Sequence, residues 1–253
     1  MTKSKKVQNY WSKRADKKNL ICTNDKLLEK YEIKLLTSEI KKNSTVLDIG
    51  CGDGTLLKYL HKSKNIKGVG IDFSNSLINL AKKNSKSLDF KCLDMLKINS
   101  LKNKLINFDY IISKRAVQNL TSWKNQKYFI NQLHYFCNKK TKIILIESSK
   151  NSLKNINYYR KKLKLKKIKM PWHNLYLDDQ KILKTKFNQI KLVNINEIFS
   201  TYYFISRVLN AALSKKINKS PRYNDLLNII GWLLPQETIK NFSQLKIYKF
   251  NKK

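Results

Sequence analysis

Residues 46–57 read VLDIGCGDGTLL. A short apolar run closes on Asp48 and Ile49, glycines follow at 50, 52 and 54, and a second apolar run begins at Leu56. The first run has the length of a buried strand, and the second opens a helix. Glycine admits positive φ and lets backbone come within van der Waals distance of a ligand that side chains would block. A GxGxG turn between strand and helix therefore suits a bulky nucleoside-bearing ligand. It is not the GxGxxG dinucleotide pattern, because Thr55 holds the third glycine's place, and no GK[ST] follows to make a Walker A loop.

Working outward, KLLEKYEIKLLT (26–37) carries a helical stripe at 27, 28, 31, 35 and 36, with Asn24 or Thr23 as its expected cap. Asp53 to about His61 is expected as a helix, GVGI (68–71) as a second strand ending at Asp72, and Ser74 as the cap of a helix to about Lys83. DFKC (89–92), FDYII (108–112) and IILI (143–146) are expected as the next strands, with helix over 122–136. Short buried strands alternating with longer helices imply a mostly parallel sheet covered on both faces, with right-handed crossovers. After residue 147 come a basic helical segment, a PWHNLY turn and another helical stretch within 152–187. QIKLVNI (189–195) and QLKIYKF (244–250) alternate as two late strands expected to be adjacent and antiparallel. Between them, 200–238 is a mostly helical insertion. Ligands in open α/β sheets lie beyond the carboxyl ends of the strands, so that insertion is read as a lid, or as a helical pair packed on the sheet.

The chain has 253 residues and a formal charge of +36. Such a charge attracts nucleic acid and anionic membranes. Only five of the cations are arginines, the better fork for phosphate, and the lysines are spread along the chain with one dense run at 161–169, KKLKLKKIK. Compositional bias explains that pattern at least as well as a dedicated polyanion surface. No apolar run approaches the roughly 18 residues that span a bilayer, and the basic start has no signal-like apolar region. Cys22, Cys51, Cys92 and Cys137 are scattered without CxxC pairing, so no metal site is expected and a reducing, cytoplasmic setting is.

Asp72 has the placement of the carboxylate that takes ribose hydroxyls, which a nicotinamide site would share. Asp48 adds a second negative charge beside the turn. Two acids suit a ligand that carries positive charge and no phosphate, and S-adenosylmethionine is such a ligand. VLDIGCGDGTLL, GVGID, CLDM and FDYIISKR, in that order, resemble the motif series of class I S-adenosylmethionine-dependent methyltransferases over about residues 8–150. The resemblance implies a Rossmann-like seven-stranded sheet with helices on both faces and a helical insertion before the last strand. It divides the chain into an N-terminal helical cap (1–43), a cofactor-binding half (44–150) and a substrate-side half (151–253) with the lid at 200–238 and the last strand at 244–250. S-adenosylmethionine is implied as cofactor and S-adenosylhomocysteine as product. Gly50, Cys51, Gly52 and Gly54 would lie against the methionine and ribose part, with Asp48 helping to hold it. Asp72, beside Phe73, would bind the ribose hydroxyls, Asp94 the adenine amino group, and Met95 or Leu93 the ring. Ser113 and the residues to Asn119 would approach the transferred methyl. YWSKRA (10–15) is similar to the first helix of small-molecule members, in which Tyr10 and Arg14 would close over the cofactor.

The substrate side is less determined. SKRAVQNL replaces the (N/D)PP(Y/F) segment with which similar enzymes clamp a flipped base, and this weakens a nucleic-acid acceptor. Glu147, Arg160, Trp172, His173, Asn174 and Tyr176 are expected at one edge, with Asn119 and Tyr202 also facing substrate. Such a polar cluster is expensive to bury unless its members pair with each other or with a ligand. His173 is the expected general base, with a pKa suited to proton removal near neutrality, and Glu147 its partner or a substrate ligand. His61 and His134 read as helix-surface residues. The stretch 147–234 resembles small-molecule methyltransferases encoded near surface-sugar genes, which implies O- or N-methylation of a sugar or similar polar metabolite. An RNA methyltransferase and a noncatalytic basic binding module are the alternatives.

Overall fold

A computed structural model describes residues 2–15, 23–105 and 107–253. Cys22 lies outside them. In chain order the elements are helices α1 (Lys3–Arg14) and α2 (Lys26–Glu39), strand β1 (Thr45–Ile49), α3 (Thr55–Lys64), β2 (Lys67–Asp72), α4 (Asn75–Asn84), β3 (Asp89–Cys92) and β4 (Phe108–Lys114). Then come α5 (Trp123–Gln132), β5 (Cys137–Ser148), α6 (Lys150–Lys162), α7 (Asp179–Lys184) and β6 (Ile190–Glu197). Helices α8 (Ser200–Phe204), α9 (Asn210–Lys216) and α10 (Leu226–Leu233) precede β7 (Leu245–Lys252).

The seven strands form one sheet in the order β3-β2-β1-β4-β5-β7-β6. The five strands from β3 to β5 run parallel, and β7 is antiparallel to both β5 and β6, as the alternation of the late segments predicts. The order reverses between β1 and β4, and the crevice of such a sheet opens at that point. Pleating sends Val46 into one apolar layer and Leu47 and Ile49 into the other, so both faces of β1 are fully buried. Fully burying each such side chain contributes roughly 1.5–3 kcal/mol.

Local signals explain most boundaries. Ser74 caps α4 by accepting from the Leu77 amide, as expected. The cap of α2 is Asp25 rather than Asn24 or Thr23: its Oδ1 accepts from the Leu28 amide, while the Thr23 hydroxyl accepts from Asp25's own amide. The expected helix over 122–136 stops at Gln132 and tightens into a 3-10 turn, Leu133–Phe136. β5 starts at Cys137, six residues before the apolar run, because the lysines there sit on exposed positions while Thr141 is buried and donates to the Phe108 carbonyl. Within 152–187 the two helical stretches flank the expected PWHNLY turn, but the first already ends at Lys162 and the second spans only Asp179–Lys184. Asn157 pins the chain between them by both donating to and accepting from the Ile168 backbone, at 2.9 and 2.8 Å.

In the insertion, Ile205–Leu209 forms a π-helical turn between α8 and α9. Trp232 is sandwiched between Tyr31 of α2 and Tyr202 of α8, with ring centroids 4.0 Å away on each side. The Tyr202 hydroxyl donates to Asp25, which also pairs with Arg207 at 3.5 Å. The insertion is thus fastened to the N-terminal end of α2.

Candidate functional site

A cleft enclosing about 800 Å3, partly open to solvent, lies over the carboxyl ends of β1 and β4, and a second cleft of about 440 Å3 adjoins it. Gly50, Asp72, Phe73, Met95 and Asn119 line both, so the two form one elongated groove. The turn beside it carries three glycines at positive φ, with φ of 82°, 58° and 75° at Gly50, Gly52 and Gly54. They are not equivalent. A Cβ on Gly52 would meet nothing within 4 Å and would project into open space, so the backbone there forms a cradle. A Cβ on Gly54 would instead meet Phe90 at 2.8 Å. Gly54 does not line the groove; it permits α3 to pack on the sheet, which corrects its expected place beside the cofactor.

The turn is closed by the carboxylate at the end of β2. Asp72 Oδ2 accepts from the Gly52 amide at 3.1 Å, and Oδ1 accepts from the Ser74 amide at 2.9 Å. Burial raises the Asp72 acid to about 6 against these two hydrogen bonds. Asp48, buried at the end of β1, is pushed up to about 7 by desolvation, against the nearby Lys114 charge. Cys51 lines the groove as a thiol whose pKa is raised by burial and by the acids beside it. Asp53, Asp48 and Asp72 together make this end anionic.

At the far end Asp94 and Met95 line the groove beside Leu93. Asp94 also caps a 3-10 turn, accepting from the Leu96 amide at 2.9 Å. The opposite end is walled by Glu29 and Ile33 of α2 and by Lys114 and Arg115. Lys114 and Arg115 ion-pair with the fully buried Glu32, at 3.2 and 3.0 Å. Ser113 itself faces away: its hydroxyl is buried and the pleat that sends Lys114 to the groove turns it to the other side. This corrects its expected place near the ligand. Lys114, Arg115, Ala116 and Asn119 fall within the stretch expected to follow the fourth strand toward the ligand, whereas Glu29 and Ile33, one helical turn apart, lie off the apolar stripe read for α2 and carried no sequence signal.

Helix α1 closes one wall. Trp11 lines the groove and donates from Nε1 to Asn119 Oδ1 at 3.1 Å, Gln8 donates to the Phe73 carbonyl at 2.9 Å, and the Ser12 and Ser74 hydroxyls are 3.0 Å apart. Tyr10 and Arg14 sit behind that wall. The Tyr10 ring stacks on His173 at 4.3 Å, and the Arg14 guanidinium lies 5.8 Å from the Tyr10 and Trp11 rings. His173 is buried, with Nδ1 lacking a partner, and burial and the Arg14 charge lower its pKa, which favours the neutral imidazole. It is one aromatic layer back from the groove, edge-on to Trp11 at 5.7 Å.

The expected polar cluster is dispersed. Glu147 neither orients His173 nor reaches the groove. Its Oε1 accepts from the Ala116 and Val117 amides, both at 2.9 Å, and its Oε2 from the Gln118 amide at 3.1 Å. Burial pushes this acid up to about 8 against those bonds and the Arg115 charge. It holds up the loop that follows β4. Arg160 is spent on the backbone carbonyls of Lys166 and Arg207 rather than on substrate. Tyr202 is fully buried in the stack on Trp232, and so does not face substrate. Tyr176 is buried and its hydroxyl accepts from Gln244 at 3.1 Å; Trp172 is exposed, and Asn174 is buried with Oδ1 unpartnered. Of the PWHNLY turn, only the Trp172–His173 pair comes up to Tyr10 and Trp11. No residue of 200–238 lines the groove. No cluster that could hold a metal ion occurs among the described residues.

A family model described as a methyltransferase domain matches residues 40–128, which hold the glycine turn, Asp72, Asp94 and β4. A protein of Invertebrate iridescent virus 6, named as a candidate methyltransferase, 235L, is 40% identical over 58 residues. That match spans 22% of this chain and 22% of the viral protein. Among solved structures, the TehB-like S-adenosylmethionine-dependent methyltransferase of Corynebacterium glutamicum shares 14% identity, covering 88% of this chain and 87% of its own, with a TM-score of 0.53. The N-methyltransferase NodS of Bradyrhizobium japonicum, solved with S-adenosylhomocysteine, shares 10% over 97% and 98% at 0.57. A chain from the complex of the Haloferax volcanii Trm112 methyltransferase activator with its methyltransferase partner shares 12% over 96% of each at 0.59. These likenesses establish a Rossmann-like α/β fold of the class I methyltransferase kind.

Proposed function

We propose that this chain is an S-adenosylmethionine-dependent methyltransferase acting on a small polar acceptor, with S-adenosylhomocysteine as the second product. The observation that carries the reading is the Asp72–Gly52 bond at the floor of an acid-lined groove. A pyrophosphate would meet Asp48, Asp53 and Asp72 at close quarters, whereas a sulfonium and an ammonium are stabilised by the same charges. The groove fits the cofactor by its donor set and by the open cradle at Gly52. Asp72 would accept from the ribose hydroxyls, Asp94 and Met95 would hold the adenine, and Gly50, Cys51 and Asp48 the methionine part. When bound, the cofactor supplies an electrophilic methyl carbon on sulfur.

This chain's residues then have two tasks: to hold a nucleophile about 3 Å from that carbon and to exclude water. Lys114, Arg115, Glu29 and Asn119 are the polar groups at hand for holding an acceptor, and Trp11 covers it. For an acceptor hydroxyl, His173 with its unpartnered Nδ1 is the proposed base, brought to the groove by a shift of the Trp11 ring with α1 still closed. O- or N-methylation of a sugar-like metabolite is the reading we favour. An RNA acceptor is the second, favoured by the net charge of +36.

Calorimetry should give micromolar binding of S-adenosylmethionine and S-adenosylhomocysteine, and folded protein that takes neither refutes the cofactor reading. Incubation with methyl-labelled cofactor and fractionated cell extract should label a small polar product. Label in RNA, with steeply salt-dependent binding, would move the acceptor to the second reading.

A further inference from the structure

Helix α10 carries aliphatic side chains on its outer face as well as an apolar anchor, Trp232, on its inner one. Its buried positions are Asn228, Gly231 and Trp232, while Leu226, Ile230 and Leu233 are exposed by 72, 40 and 77%. These three recur at helical spacing and form one outward aliphatic stripe. Leu213, in the middle of α9, and Ile217, just beyond its end, face the same groove as Leu226 and Ile230, and Ile217 is 63% exposed. Monomeric proteins rarely leave a contiguous aliphatic surface of this kind without a use.

The surround is basic. Lys219 and Arg222 line the same groove, and Lys216 is exposed one residue before Ile217. The lysine run at 161–169 adjoins α9, since Lys215 donates to the Lys164 carbonyl at 2.8 Å and Arg160 to that of Arg207. The one acid in the groove, Asp225, is engaged by the Asn210 side chain and the Arg222 amide.

We propose that the α9–α10 tip docks on an anionic lipid bilayer surface, with its leucines and isoleucines among the acyl chains and the lysines at the headgroups. An aliphatic stripe beside a cluster of cations is the composition of interfacial helices, and each lysine near an anionic surface adds to the attraction. Aliphatic side chains offer no ring on which a base could stack, which disfavours RNA at this tip. A second copy would bring two like-charged rims together. No described helix is long and apolar enough to cross a membrane, and docking at the surface requires none.

The test is co-sedimentation with vesicles of phosphatidylglycerol and phosphatidylcholine, against phosphatidylcholine alone. The protein should pellet on the anionic vesicles and be released by salt. Combined Leu226→Ser, Ile230→Ser and Leu233→Ser, on exposed positions, should weaken vesicle binding about tenfold or more at unchanged melting temperature. Combined Lys216→Glu and Lys219→Glu should weaken it by at least about thirtyfold. Equal binding to both vesicle types, no binding, or binding that survives the serine substitutions overturns the proposal. So does self-association without lipid that the serine variant abolishes, or RNA binding that the same variant reduces. Cofactor binding, measured separately, should be unchanged in both variants.

Discussion

Asp72 Oδ2 accepts the Gly52 amide at 3.1 Å, tying the end of the second strand to the middle of the glycine turn. One carboxylate thereby shapes the cradle and faces the groove it forms. Asp72→Ala removes both contributions. A charged hydrogen bond is worth about 1.5–3 kcal/mol, so affinity for S-adenosylhomocysteine should fall roughly tenfold to hundredfold by calorimetry. Asp72→Asn should fall less, since the amide oxygen can still accept from one backbone amide.

The acids make binding depend on pH. Asp72 titrates at about 6 and Asp48 at about 7 in the folded chain. A cationic ligand favours their ionised forms, so affinity for S-adenosylmethionine should fall as pH drops from 8 toward 5, by up to about tenfold per unit for each acid that must lose a proton. Titrations in buffers of different ionisation heat should show proton release.

For the ligand-free fold the sign is opposite. Asp48 is raised from 3.8, so its contribution to stability is full below that value and is lost as pH rises through about 7. Asp48→Asn should therefore gain stability relative to the parent between about pH 4 and 8, by up to a few kcal/mol, read from paired urea titrations. A difference that does not change with pH would contradict the burial of that acid.

Two alanine substitutions should separate the glycines. Both meet the left-handed backbone, a strain of about 1 kcal/mol. Gly52→Ala enters empty space, so it should fold and lose ligand. Gly54→Ala meets Phe90 and should lower the melting temperature while the remaining folded protein keeps its affinity.

Glu147→Ala leaves the amides of residues 116–118 without an acceptor in a buried place. Three such groups at about 1–3 kcal/mol each would cost about 3–9 kcal/mol, a large share of the roughly 5–15 kcal/mol that holds a domain together, so rearrangement of the loop is favoured. Hydrogen exchange at those three amides should accelerate in the variant even where the rest of the sheet stays protected.

How much of this was legible follows from range. The glycine turn and the Ser74 cap are set by residues within a few positions of one another, and local chemistry announces them; Asp72 was legible from its place at the end of the second strand, although its bond to Gly52 spans 20 residues. The antiparallel pairing of β6 and β7 was legible because two alternating runs had few other partners. Glu147, Arg160 and Tyr202 failed for one reason. Each is a polar residue whose partners are backbone groups or an acid distant in sequence: Glu147 on residues 116–118, Arg160 on Arg207, Tyr202 on Asp25. A polar side chain in a sequence advertises a need for partners, and the need is met as well by the fold as by a substrate. Ser113 failed by one residue of pleat.

The fastening of α1 decides how the groove is reached. That helix buries Val7, stacks Tyr10 on His173 with ring centroids 4.3 Å apart, and among the described residues is tied to the body by hydrogen bonds through Gln8, Trp11 and Ser12 worth about 1 kcal/mol apiece. Such a latch lifts at small cost while the sheet beneath stays intact. The dwell time of an occupant is then governed by a twelve-residue segment gripped by a few polar and aromatic contacts, and changing Trp11 alone would retune it.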